Sequence, residues 1–455
     1  MPYDGEFAQS KSLRRLAESD KVKELLGDYE VRHTTGPSAA LDKLQMSDIP
    51  PSPWQPDWVL AVDGSHHEVQ VKNGFPGAEA SYLTIASVLL DVAKIRQLDQ
   101  QRPVDPKVFR TTEQSESIDW AFPGCNVITK GEASARDSLR KTLFEVFDAK
   151  RMSDEGESLL DTFEVLLAHK PEDQHPQSCP HENCPVEKGE YGRNRGKYSC
   201  HCEKQAQLYS TDALRIHEGM NPTGSNGAMF AEIMQVLERV WVVHILRTME
   251  QQKWLASLRK LAIVIDGPLA VFGHPAWLSH SIFKELMRLN NAVRAATDGQ
   301  DILMVGIEKT GEFVEHFRQI DTNEDGQTGQ FPKKSLALLT NLYINQNIIF
   351  SDSTRFYGRQ SYFGRKVFYK TSSGARIVAT LPFLSEGHKD LNNADVTQFP
   401  RLTDAVQLLD RLVSSRYPNA LSPLVAANAE AAIPLNLGKK VLERLAKELI
   451  SKGRA

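Results

Sequence analysis

The chain has no excess of basic residues: 54 Lys and Arg stand against 58 Asp and Glu in 455 residues, a net charge of -4. A uniformly cationic, nucleic-acid-coating protein is thereby excluded, and any contact with a polyanion must be a local patch. No apolar run approaches the eighteen or so residues of a membrane span, and the opening MPYDGEFAQSKSLRRL lacks the apolar stretch of a secretory signal. These absences predict a cytoplasmic protein without membrane contact. Cysteine is scarce, five in all, and four of the five fall between residues 179 and 202. A disulfide-held secreted domain spreads its cysteines over the fold, whereas so short a cluster is the pattern of a metal site. A phosphate loop is also missing, because GIEKTG does not have the G-x-x-x-x-G-K-[ST] spacing. ATP hydrolysis is not expected of this chain, and any motor must be a separate protein.

What is present reads as an α/β chain. Residues 1–50 form a charged helical arm (SLRRLAESDKVKELLGDY) closed by the breaker DIPPSPWQP. Residues 51–170 begin with two apolar, β-branched runs, WVLAVDGS and ASYLTIASVLLDV, which predict a hairpin, and then turn helical in ARDSLRKTLFEVFDAK and ESLLDTFEVLLAH. Residues 171–226 are rich in proline, glycine and cysteine and read as an insertion. Residues 227–432 resume the core with a long amphipathic helix or helix pair, the strand KLAIVIDGP, a helix around IFKELMRLNNAVRAA and the strand DILMVGIEKTG. This strand, helix, strand order is that of α/β folds. Residues 433–455 form a basic amphipathic helix.

Two strands end alike: Asp63 and Asp266 each follow an apolar run and precede a glycine. An acid at the carboxyl end of a strand projects into the crevice where open α/β sheets bind ligands. If the two strands are neighbours, the acids repel, and a divalent cation holds such a pair at neutral pH; oxygen ligands favour Mg2+ or Mn2+. Paired ions about 3.5–4 Å apart activate water and stabilise the leaving oxygen of a phosphodiester. The alternative is that Asp-Gly simply makes a good turn. A third acid is expected from the helix before Asp266, with Glu232, Glu238 and Glu250 as candidates. Glu238 lies at the margin of the apolar face, where a glutamate calls for a partner.

Taken in order, AVDGS, the glutamate of VLERVWVVHILR, IVIDGPLAVFG and VGIEKTGEF resemble the motifs of the NurA nuclease family, from about Trp58 to Ala432. The resemblance implies an RNase H-like mixed sheet flanked by helices, and a ring-like homodimer. It implies cleavage of DNA with Mn2+ or Mg2+ beside the hexameric ATPase HerA, in repair or in defence against foreign DNA. It further implies Asp63, Glu238 and Asp266 as metal ligands and Lys309 as a contact to phosphate or water. By itself, Lys309 would read as a solvated loop lysine. The family's C-terminal Ala-His pattern is met here by SPLVAANAEAAI, with Asn428 in place of histidine; Tyr417 is a candidate for a family tyrosine. Asparagine can ligate a hard cation but cannot take up a proton. That departure keeps open an alternative reading, a catalytically weak DNA clamp or adaptor for the ATPase.

In the insertion, Cys179, Cys184, Cys200 and Cys202, interleaved with His181 and His201, suit a closed tetrahedral and hence structural Zn2+ site. DTNEDGQTGQF starts like a calcium loop, but Pro332 stands where the bidentate glutamate is needed, and it reads as an acidic turn. STRFYGRQSYFGRKVFYK interleaves Arg355, Arg359, Arg365 and Lys366 with aromatic residues. It fits either phosphate contact with base stacking or an edge strand with its aromatics inward.

Overall fold

The computed structural model describes residues 10–29, 37–72, 77–97, 113–173, 179–180, 184–186, 191, 193–323, 326–353, 355–413 and 421–432. The chain opens with α1 (Ser10–Glu18), α2 (Asp20–Gly27), α3 (Pro37–Asp42) and β1 (Met46–Asp48). Strands β2 (Trp58–Lys72) and β3 (Ala78–Asp91), helix α4 (Val92–Gln97) and β4 (Glu113–Pro123) follow, then α5 (Ala135–Ala149) and α6 (Leu159–Ala168). The cysteine segment carries β5 (Lys197–Ser199) and β6 (Gln207–Tyr209). Beyond it come α7 (Gly227–Gln251), β7 (Leu261–Asp266), α8 (Leu278–Ala296), β8 (Leu303–Glu308) and α9 (Glu312–Ile320). The chain continues through β9 (Ser335–Leu338), α10 (Asn341–Asn347), β10 (Gly364–Lys370), β11 (Arg376–Pro382), α11 (Leu402–Leu412) and α12 (Ser422–Ala431). Tyr417, His181, Asp325 and the amphipathic segment from residue 433 lie outside the described residues.

Among the described residues nine strands form one mixed sheet in the order β1-β9-β10-β11-β8-β7-β2-β3-β4, and β5 and β6 pair separately. The parallel strands β2, β7 and β8 stand at its centre. Their apolar runs are buried on both faces. Leu60, Val62, Ile263 and Ile265 pack under α5 to α8, while Val59, Ala61, Ala262 and Val264 pack under α11 and α12. Side chains alternate between faces along a strand, so each of these runs serves two cores and contains no polar position.

The expected hairpin is present but longer than WVLAVDGS suggested. β2 continues past Asp63 because β3 supplies an antiparallel partner as far as Lys72, and β4 extends the pairing outward. β7, on the other side of β2, stops at Asp266. Asp63 therefore lies not at the end of its own strand but where its neighbour ends. The sheet also reaches before residue 50, since β1 pairs with β9. The basic and aromatic run is not an edge strand: β10 is flanked by β9 and β11, and all seven of its residues are buried. The acidic turn is anchored at its first residue, where the buried Asp321 carboxylate pairs with Lys370 at 2.6 Å and Arg376 at 3.2 Å. Among the described residues no helix is long and apolar enough to cross a membrane.

Candidate active site

The register of the central strands pairs Val62 with Ile265, so Asp63 and Asp266 stand side by side on neighbouring parallel strands. By alternation with Val59 and Ala61 and with Ala262 and Val264, both point to the face covered by α12. Asp63 is only 3% exposed. Its pKa is raised to about 7, first by burial and then by the neighbouring charge of Asp266, against the opposing pull of Lys309. Lys309 follows β8 and places its ammonium 2.8 Å from Asp266 Oδ1 and 3.7 Å from Asp63 Oδ2. Both oxygens are buried and neither receives a properly directed hydrogen bond. The 2.8 Å contact is thus an ion pair with poor hydrogen-bond geometry, and each oxygen keeps a lone pair for another cation. Buried acceptors left in this state are uncommon and point to a missing partner.

Glu238 arrives from the other side of the sheet, on α7. It is fully buried rather than at the edge of the apolar face. Burial above all, then the charges of Asp63 and Asp266, push its pKa up to about 8, while Arg239 opposes the shift. Gly64 makes its approach possible: a Cβ at this position would meet Glu238 Oε1 at 2.7 Å and Met234 Cγ at 2.9 Å. The glycine after Asp63 is therefore not a turn residue but a gap through which helix and strand come together. The glycine after Asp266 is a turn residue, with φ of 74° at Gly267.

Arg239 was not foreseen from the sequence. Its buried guanidinium donates to Glu238 Oε2 at 3.2 Å, to the Asp266 carbonyl at 2.9 Å and to the Pro268 carbonyl at 3.1 Å. One side chain thereby fixes both the glutamate and the turn that aims Asp266. The other acids considered on α7 are committed elsewhere, Glu232 to His274 and Glu250 to Arg288. Asn428 is exposed on α12, whose last turn is tied to the site by a hydrogen bond from Ser65 to the Ala431 carbonyl.

The four clustered cysteines come together with their sulfurs within 4.8 Å of one another, Cys184 and Cys200 at 3.6 Å. Tetrahedral thiolates about 2.3 Å from a zinc ion would stand about 3.8 Å apart, so this group can hold a metal. Among the described residues it is the one cluster of three or more such donors this tight. The Tyr191 hydroxyl donates to Cys200 Sγ at 3.3 Å, and exposed His201 is not part of the group.

A family model for the NurA domain matches residues 58–433. The chain belongs to the NurA domain family. The matched NurA domain includes Asp63, Glu238, Asp266 and Lys309, together with the whole cysteine segment. Among solved structures the chain is similar to the NurA nuclease from Sulfolobus solfataricus, at 9% identity over 98% of both chains and a TM-score of 0.39. No curated protein matches it.

Proposed function

We propose that this NurA-domain protein is a divalent-metal-dependent nuclease that hydrolyses DNA phosphodiester bonds on an RNase H-like core. The observation that carries the reading is the pair of adjacent carboxylates, buried Asp63 and part-exposed Asp266, each with a buried oxygen that faces Lys309 and accepts no hydrogen bond. Two such acids fit a divalent cation, because burial of Asp63 and the neighbouring carboxylate disfavour the ionised form of Asp63 without one. Asp63 and Asp266 hold the cation, with Glu238 closing its environment from the α7 side. Bound Mn2+ or Mg2+ supplies a Lewis acid for the phosphate oxygen and lowers the pKa of a water. Lys309 is the phosphate contact, a role that fits its place between the two carboxylates. Arg239 holds Glu238 and the Asp266 turn in position. The test is incubation of the purified protein with end-labelled single- and double-stranded DNA in Mn2+, Mg2+ or chelator. Metal-dependent shortening is expected, and its absence under every condition contradicts the reading.

We further infer that Cys179, Cys184, Cys200 and Cys202 hold a structural Zn2+ in an insertion spanning residues 171–226, between the halves 51–170 and 227–432 of the core. Structural zinc contributes on the order of 10 kcal/mol in small sites. Fresh protein is therefore expected to carry about one zinc per chain, and Cys200→Ser to lose it. Zinc-free wild-type protein would overturn the assignment.

From membership of the NurA family we infer work as a homodimer beside a HerA-type hexameric ATPase, in repair or in defence against foreign DNA; with no phosphate loop in this sequence, pumping duplex DNA falls to such a partner. Within the arm of residues 1–50, whose end is held in the sheet by β1, helices α1 and α2 are the proposed docking element. Leu13 is 75% exposed, and Leu16, Leu25 and Leu26 are also exposed. An amphipathic helix with an uncovered apolar face is the usual form of a helix-in-groove ligand.

A further inference from the structure

The run STRFYGRQSYFGRKVFYK divides into two parts with different surroundings. Arg365 and Lys366 lie in β10 and serve the scaffold: Arg365 donates to the Leu339, Asp390 and Asn393 carbonyls and to Gln398, and Lys366 pairs with Glu308. The residues just before β10 are placed otherwise. Phe356 and Arg359 are exposed, and with Tyr357, Tyr362, His280 and Lys389 they line a cavity of about 570 Å³, whose lining also includes the paired Arg365 and Lys366.

The walls of this cavity are part aromatic, from Phe356, Tyr357 and Tyr362, and part aliphatic, from Leu339 and Ile344. The Tyr357 and Tyr362 rings lie 5.4 Å apart, and the exposed Phe272 ring lies 5.5 Å from Tyr362. Its charge is positive at the rim, from Arg359 and from Lys389, whose ammonium lies over the Phe283 ring. Burial first, then Lys389 and Lys284, hold the His280 imidazole below its usual pKa. Of the nearby counter-charges, Glu308 is held by Lys366, and exposed Glu386 is shared between Lys284 and Lys389. A volume of this size falls in the range that accepts a small organic ligand such as one nucleotide. Aromatic faces with flanking cations are the elements that bind unpaired bases and their phosphates.

Two chain connections tie the cavity to the carboxylates. The segment after Asp266 forms part of its support, with the Val271 amide donating to the Ser361 carbonyl at 2.8 Å and the Phe363 amide to the Leu269 carbonyl at 3.0 Å. Glu308, which anchors Lys366 beside Tyr362, immediately precedes Lys309. We propose that this cavity receives one unstacked base at the end of a single DNA strand, with Arg359 and Lys389 on the adjoining phosphate. The identity of the strand rests on the nuclease reading above.

The test uses full-length Asp63→Asn protein, to suppress cleavage, titrated with oligothymidylates that carry a single 2-aminopurine at successive positions from either end. The same titrations are repeated with Phe356→Ala or Arg359→Ala added; both side chains are exposed, so melting temperature is expected to be unchanged. Quenching is expected at one or two neighbouring positions close to an end, lost in Phe356→Ala. Affinity is expected to fall about five- to tenfold in either variant, the effect of removing one stacking or cationic contact. Uniform quenching along the strand, unchanged affinity in both variants, or equal Phe356-dependent binding of a blunt duplex overturns the proposal. If wild-type protein cleaves no DNA but localised quenching persists, the nuclease reading fails and the base cavity stands. If wild-type protein cleaves while Phe356→Ala binds and quenches as before, the cavity fails alone.

Discussion

Asp63 and Asp321 are both buried carboxylates in the same nine-stranded sheet system, and they differ in what meets them. Asp321 accepts from Lys370, Arg376 and the Phe331 amide, all within 3.2 Å. Asp63 faces a second acid and a lysine 3.7 Å away, and keeps one oxygen without a hydrogen bond. Burial by itself therefore does not mark a functional acid. A satisfied buried carboxylate is a brace, while an unsatisfied one beside a like charge is a place prepared for something absent from the protein alone.

Removing the brace should have the larger effect on stability. Asp321→Ala leaves the Lys370 ammonium buried without its partner, and breaking a buried pair in this way costs about 3–5 kcal/mol. Chemical denaturation is expected to show that loss, with residual cleavage tracking the folded fraction; an unchanged midpoint would erase the distinction.

The pH dependence of the metal-free protein sharpens it from the other side. Asp63 and Glu238 have folded pKa values raised from 3.8 and 4.5 to about 7 and about 8. Such groups bind their protons more tightly when folded, so their stabilising contribution is complete below about pH 4 and is lost as pH rises through 7 and 8. Melting temperature without catalytic metal is expected to fall across this window, by up to a few kcal/mol in stability, and to recover on adding Mn2+ at pH 8. A flat profile would contradict the raised values. The smallest effect is expected at Asn428, exposed on the helix that covers the site. Asn428→His supplies a group that titrates near neutrality, and a rate increase of a few-fold with a new pH dependence is expected in single-turnover cleavage. An identical pH profile would remove position 428 from the chemistry.

The repeated apolar-run-Asp-Gly signal singled out both aspartates in the sequence because strand burial is a local property, although only Asp266 ends its strand. The strand, helix, strand core was legible for the same reason. The reason for Gly64 was not, since close approach of α7 is a tertiary fact that a turn-forming dipeptide conceals. Arg239 was hidden because a Glu-Arg pair on an amphipathic helix reads as a solvated edge; its guanidinium reaches carbonyls 27 and 29 residues onward. Arg365 and Lys366 read as surface cations because the neighbours that bury them come from β9, β11 and the 390–398 segment. The length of β2 was hidden too, as its outer half is held by β3 and carries polar residues such as His66, His67 and Glu68.

The central claim is that the unsatisfied carboxylates cut DNA and are not part of the framework. Its most direct measurement is single-turnover cleavage of end-labelled DNA in Mn2+ by Asp63→Asn, made alongside its melting temperature at pH 8. The predicted result is cleavage reduced to the level of chelator-treated wild type, with a melting temperature equal to or above that of the metal-free wild type, because a like-charge repulsion has been removed. Cleavage at the wild-type rate, or loss of cleavage accompanied by loss of the fold, would contradict it.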